Sequence, residues 1–317
     1  MSELKVNQIS KRNGENISFS DPLRLKSFTT TDRDALTSAN GDMIYNSTVG
    51  KAQIYQSGAW VNSGALDPFS VEYVVIAGGG GGNNSGAGAG GYRSNVSGEN
   101  SGGGVSAETS MTLAGNVNYT ITIGAGGGGG VTGSNSQFQG VVSYGGGKGA
   151  STFSEGHIGG SGSGGGHVGG GGTRDGMFGV PNQGFKGGQK TGDAGPFVGA
   201  GGGGAGSVGA NGTGSGSSGG SGVDSSITGS SVGRAGGGST NTVATIDGGG
   251  NGSNNGTANT GGGGGNGRSG GSGVVILRFA TASATVTVGA GLTHTSATDG
   301  SDTVLTFTAG TGTISFG

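Results

Sequence analysis

The sequence predicts an all-β and irregular chain in which small β modules flank a sandwich of glycine rods of the polyglycine II type. Three observations point there. Glycine makes up 87 of 317 residues and is concentrated between residues 78 and 273, in unbroken runs at 78–82, 126–130, 169–172, 201–204 and 261–265. Two short apolar runs rich in β-branched residues bracket that stretch, Val71-Glu72-Tyr73-Val74-Val75-Ile76-Ala77 before it and Gly273-Val274-Val275-Ile276-Leu277-Arg278-Phe279 after it, and both read as buried strands. Apolar anchors interrupt the glycine at Tyr92, Met111, Leu113, Tyr119, Ile121, Ile123, Phe138, Val141, Tyr144, Phe153, Phe178, Phe185 and Phe197. Dense glycine by default means a flexible linker, but a linker has neither brackets nor anchors. A net charge of -2 also lacks the charge excess of chains that stay unfolded.

A glycine run that is neither helix nor linker can order as an extended threefold helix rising about 3.1 Å per residue. Unlike proline it keeps its N–H, and without a Cβ it can approach neighbours on every side, pairing N–H and Cα–H donors with carbonyls. Fixing a residue costs about 1–2 kcal/mol, against about 0.5–1.5 returned by a net hydrogen bond and about 0.5–1 by a Cα–H contact. Terms so close to cancelling predict order only in a many-membered bundle clamped at its ends, which the bracketing strands supply. Five glycines then span roughly 15 Å, giving a slab of short parallel and antiparallel rods joined by loops.

An apolar content of 29 % is thin for this length and predicts several modules with small cores. Fifteen basic against 17 acidic residues offer no broad basic face, so nucleic-acid binding is not expected. Without cysteine, neither disulfides nor thiolate metal sites hold the chain together. Met1-Ser2-Glu3-Leu4-Lys5-Val6 lacks the order of a secretion signal, and no apolar run nears the roughly 18 residues that span a bilayer, so no membrane insertion is expected.

Four segments follow in order. Residues 1–30 alternate weakly around Asn13-Gly14, a hairpin signal, and read as short strands that need a partner, hence a docking element. Residues 31–66 open with one helical turn capped by Thr31. They continue as a meander of strands over Asp42–Asn46, Lys51–Gln56 and Ala59–Val61, with Tyr45, Tyr55 and Trp60 as its core. Leu66-Asp67-Pro68 forms a joint before the glycine-rich segment, 67–280. Residues 281–317 alternate threonine with apolar residues at Thr285–Val288, Thr303–Thr308 and Thr313–Phe316, which predicts a three-stranded module closed against neighbours.

The stretch from Gly41 to Lys51, followed by Tyr55 and Gly58-Ala59-Trp60-Val61, resembles a small β module of tail-fibre and other virion proteins of tailed bacteriophages. Glu72–Ala77 with its glycine tract, Gly90-Gly91-Tyr92-Arg93, Tyr119–Gly124 and Gly273–Arg278 together resemble the glycine-rich domain of fibre proteins in marine cyanobacterial phages. The rods are similar to those of a phage tail-tip adhesin built as a polyglycine sandwich, and Leu4–Ile9 is similar to fibre N-termini of the same phages. The matches cover most of residues 1–280. The resemblance implies a virion component made in the host cytoplasm. It would be homotrimeric, a state that modules too small to stand singly also favour. It would be held to other tail or neck proteins through residues 1–30 and exposed to a bacterial surface glycan or outer-membrane protein.

Chemistry is sparse. Val74–Ala77 followed by Gly78 and Gly80 imitates a dinucleotide fingerprint, but nothing after Gly82 can make the helix that such a site requires. Gly267-Arg268-Ser269-Gly270-Gly271 has the form of a nucleophile elbow without a preceding strand or an acid partner for His157, His167 or His294. Gly219–Asp224 approaches a calcium-binding nonapeptide that is not repeated, and His157 with His167 lacks a third zinc ligand. No cofactor, metal or catalytic residue is assigned, and an enzyme is not expected. The segments least like glycine hold Arg174, Asp175, Met177 and Phe178, then Phe185 and Lys186, then Phe197. As loops on a rigid scaffold they are candidate receptor contacts; the phenylalanines equally suit plugs for the slab's edge. The expected function is host attachment by a tail fibre, with a spacer or brace such as a whisker or collar as the alternative.

Overall fold

The computed structural model describes residues 24–63, 68–168, 172–192, 198–212, 216–241, 243 and 245–317. The Asn13-Gly14 hairpin, most of the docking segment, Leu66-Asp67 of the joint and Phe197 lie outside the described residues. The chain divides into two units, one up to residue 65 and one from residue 66 onward.

The first unit contains β1 (Ser27–Phe28), α1 (Thr30–Asp34), β2 (Met43–Asn46), β3 (Lys51–Gln56) and β4 (Ala59–Asn62). The strands pair in the order β1-β2-β3-β4, parallel only between β1 and β2. Because β1 belongs to this sheet, no structural break falls at residue 30. Thr29, not Thr31, caps the helix: its Oγ1 accepts from the Asp32 N–H at 3.2 Å. The expected aromatic core needs correction. Alternation along β2 puts Ile44 and Asn46 on the inner face and turns Tyr45 outward, 41 % exposed. Beside Ile44 the buried side chains are polar: Asn46 Nδ2 donates to Gln53 Oε1 at 3.0 Å and Gln53 Nε2 donates to Asn62 Oδ1 at 2.8 Å. Tyr55 and Trp60 pair across β3 and β4 edge to face at 5.3 Å.

The second unit adds β5 (Phe69–Ile76), β6 (Tyr92–Ser94), β7 (Met111–Leu113), β8 (Tyr119–Thr122), β9 (Ser136–Phe138), β10 (Val141–Ser143), β11 (Thr173–Arg174), β12 (Lys190–Thr191), β13 (Val223–Ser225), β14 (Val232–Arg234), β15 (Val274–Ala280), β16 (Val286–Val288), β17 (Leu292–Asp299) and β18 (Asp302–Phe316). The fold is all-β with almost no helix. Ten strands form one antiparallel sheet in the order β10-β9-β8-β18-β15-β5-β6, with β16 and β17 added to β18 and β7 to β5. The sheet is barrel-like and nearly closed. Across its seam Ser143 Oγ, from β10, donates to the Val75 carbonyl of β5 at 2.7 Å.

The two apolar brackets pair with each other, Ile76 opposite Val274 and Tyr73 opposite Leu277. Period-two alternation divides them between two cores. Phe69, Val71, Tyr73, Val75, Val275, Leu277 and Phe279 join Phe138, Phe307 and Phe316 on one side of the sheet. Val74, Ile76, Val274 and Ile276 face the other way, onto Ala89, Tyr92, Ala205 and Ala235 from the glycine-rich stretch. Burial on both faces is why these strands read as continuous apolar runs.

Residues 281–317 are not a separate module. Three strands do lie within them, but the second and third expected ones are a single strand, β18, which runs unbroken through Gly310 and pairs with β15, β17, β16 and β8, while β17 was not foreseen. Gly310 itself is at φ +95, and a Cβ there would sit 1.8 Å from the Gly291 carbonyl oxygen, so glycine at this site bends the strand instead of ending it.

The run from Gly78 to Asn83 shows how the glycines are held. Its N–H groups reach three antiparallel neighbours: Gly78 and Gly81 donate to Ser134 and Val131, Gly79 and Gly82 to Gly271 and Arg268, Gly80 and Asn83 to Gly88 and Ser85. Its carbonyls accept from three parallel ones: Gly78 and Gly81 from Gly146 and Gly149, Gly79 and Gly82 from Gly127 and Gly130, Gly80 and Asn83 from Gly264 and Gly267. Every partner recurs after three residues, so one run is bonded to six others. The approach is too close for any side chain: a Cβ on Gly82 would lie 1.7 Å from the Gly265 carbonyl oxygen.

Candidate functional site

Where the array meets solvent, four neighbouring runs carry side chains three residues apart. Gly156 N–H donates to the Asp175 carbonyl at 2.9 Å, and Gly159 bridges Gly179, so the run containing Glu155 and Ile158 lies beside that containing Asp175 and Phe178. Antiparallel pairing of β11 with β12 and the bond from Gly187 N–H to the Met177 carbonyl bring in the run with Lys186 and Gln189. Gly209 and Gly212 donate to the Lys186 and Gln189 carbonyls, adding Val208 and Asn211. Bond partners along these runs recur every three residues, as Gly209 and Gly212 do on Lys186 and Gln189, and the exposed side chains share that spacing, so they form two rows across the runs.

One row is polar and knitted together. A Glu155 carboxylate oxygen accepts from the Asp175 N–H, Asp175 Oδ1 accepts from Gln189 Nε2 at 2.5 Å, and Asn211 Oδ1 accepts from the Gln189 N–H at 2.9 Å. The other row, three residues along each run, is Ile158, Phe178, Lys186 and Val208. Ile158 is 64 %, Phe178 68 % and Val208 50 % exposed.

This changes the picture of the sequence-predicted residues. Arg174, Asp175, Met177, Phe178, Phe185 and Lys186 were expected on loops; they lie on adjacent hydrogen-bonded runs. Asp175, Phe178 and Lys186 are exposed, whereas Arg174, Met177 and Phe185 are half-buried. Arg174 Nε donates to the Phe153 carbonyl at 3.1 Å, and the Phe185 ring lies over Gly104, where an added Cβ would be 3.1 Å from Cζ. Phe178 does not plug an edge, because it stands out from the surface. Sequence reasoning missed Glu155, Ile158, Gln189, Val208 and Asn211. Their signal was the three-residue spacing of non-glycine residues.

Several other polar groups of the second unit are paired with one another. A cleft of about 710 Å³ is lined by Tyr73, Arg93, Glu108 and Gln183 among others. Within it Arg93 binds Glu108 through two bonds of 2.6 Å, and the Tyr73 hydroxyl donates to Glu108 at 2.7 Å. Burial first, then the Glu108 bond and charge, push the Tyr73 phenol up. Burial alone is the main cause that pushes Tyr92 up to about 12. His157 is held below its ordinary value by burial and by the Lys148 charge. Arg278 bridges Asp299 at 2.7 Å and Asp302 at 2.9 Å. Among the described residues no three His, Asp or Glu side chains converge to hold a metal ion, and no helix is long and apolar enough to cross a membrane.

Comparison with protein-family models, with curated proteins and with solved structures finds no match for the chain.

Proposed function

We propose that the chain is a virion fibre protein of a tailed bacteriophage, and that its glycine array is a polyglycine II sandwich serving as a stiff platform for host attachment. The six-neighbour bonding of Gly78–Asn83, repeating every three residues, carries this reading. Rods that satisfy every amide against other rods need no side-chain core, and their solvent-facing positions are left for recognition. The fibre acts as a homotrimer, joined to other virion proteins through residues 1–30. Several copies on one particle turn weak single contacts into firm attachment through effective concentration.

The test is adsorption. Purified protein should bind cells of the host strain and compete with phage for them, and antibody labelling should place it on an external fibre of the particle. Labelling on the particle without cell binding would favour a whisker or collar brace. Failure to find it on the particle would overturn the proposal.

A further inference from the structure

The two rows of side chains on the slab face define a surface with its own chemistry. Ile158, Phe178 and Val208 present an exposed apolar strip, with the Lys186 stem among them. About 9 Å away, one threefold turn along the runs, Glu155, Asp175, Gln189 and Asn211 hold one another in fixed positions. Glu155 and Asp175 each use one carboxylate oxygen in that row. Among the described residues their second oxygens accept no hydrogen bond. The four runs together are roughly 14 Å wide if spaced like strands.

We infer that this face binds a linear, uncharged glycan laid across the runs, with the C–H faces of its sugar rings on Phe178, Ile158 and Val208 and its hydroxyls bonded to Asp175, Glu155, Gln189 and Asn211. The inference rests on the attachment reading and gives its receptor a chemical class. Three features select the occupant. Apolar ring contact beside fixed carboxylate and amide acceptors is the pairing that a polyhydroxylated ring satisfies, since it is apolar on its faces and hydrogen-bonding at its edges. Two carboxylates in the row disfavour phosphorylated or acidic sugars. The strip of four side chains is far short of the roughly 800 Å² per partner that a stable protein interface buries, which argues against a second copy of the chain.

Titration calorimetry of the full chain with linear hexasaccharides of glucose, mannose and galactose tests this, with a sulfated hexasaccharide as the charged comparison. At least one neutral oligomer should bind. Phe178→Ala should weaken that binding about tenfold or more, and Asp175→Asn several-fold. Both positions are exposed, so thermal unfolding should be unchanged. The inference fails if no neutral oligomer binds, if the sulfated one binds better, or if both variants bind like the parent. It also fails if light scattering shows that Phe178→Ala dissolves an oligomer, which would make the face a contact between copies. The two readings separate cleanly. Cell attachment unaffected by both variants would sink the glycan face and leave the fibre; oligosaccharide binding that depends on Phe178 without any cell attachment would do the reverse.

Discussion

At the residue scale, stability turns on which glycines have a carbonyl where a Cβ would go. At Gly82 the nearest oxygen would be 1.7 Å from it and at Gly81 1.8 Å; at Gly128, among the described residues, nothing lies within 4 Å. Gly82→Ala should therefore cost about 4 kcal/mol or more, at the exceptional end for one substitution. Gly128→Ala should change stability by no more than about 1 kcal/mol, and in the favourable direction if the unfolded chain loses freedom. Denaturant midpoints compared at constant slope would decide it. Two tyrosines give a second check. Tyr92 and Tyr73 have folded-state pKa values raised above the ordinary phenol value of 10.0, Tyr92 to about 12. Their stabilising contribution is fully present below pH 10. Between pH 10 and about 12 the unfolded chain has released protons that the folded one keeps, so stability should fall as pH rises. Ultraviolet difference titration should show Tyr73 and Tyr92 ionising above the ordinary phenol value of 10.0, Tyr92 at about 12.

At the scale of elements, β18 and the outer runs teach opposite lessons about what a sequence discloses. The apolar brackets were legible because two-sided burial leaves a continuous apolar run, mostly β-branched, at Val74–Ile76 and Val274–Leu277. The unbroken β18 was not, since Gly310-Thr311-Gly312 looks like punctuation until the +95° φ of Gly310 shows a bend within one strand. Gly310→Ala should accordingly lower stability by about 2 kcal/mol or more, through the left-handed backbone and the Gly291 oxygen. The same denaturation series would measure it. The burial of Asn46 was likewise hidden, because a polar residue at an inner position reads as an outward one, and the pattern then hands Tyr45 the wrong face. Of the candidate site, Asp175, Phe178 and Lys186 were picked by composition. Their partners were passed over because a period of three was not sought in the spacing of Glu155 with Ile158 or Val208 with Asn211.

At the scale of the whole molecule the second unit combines two ways of holding a chain together: side chains packed inside a barrel-like sheet, and backbones bonded directly to backbones. Tyr92, Ala89, Ala205 and Ala235 join them, since they come from the glycine-rich stretch yet pack on β5 and β15. Native-state hydrogen exchange should then find the amides of Gly78–Gly82 as well protected as those of Val74–Ile76, with both released together on global unfolding. Glycine amides that exchange within seconds while the strands stay protected would show the array opening independently, contrary to this picture.

The partnership of Ile76 with Val274 also has a bearing on synthesis. The first clamp is translated long before its counterpart, and although β5 can already pair with β6 and β7, its central partner β15 must wait for residue 274 and the sheet for residues 302–316 to arrive. Loop closure over such a distance is slow, which exposes a nascent polypeptide to clumping. Outside its apolar anchors the waiting segment is mostly glycine, serine and asparagine and offers little to stick with, so the composition that later permits close contact also helps keep the unfinished chain in solution.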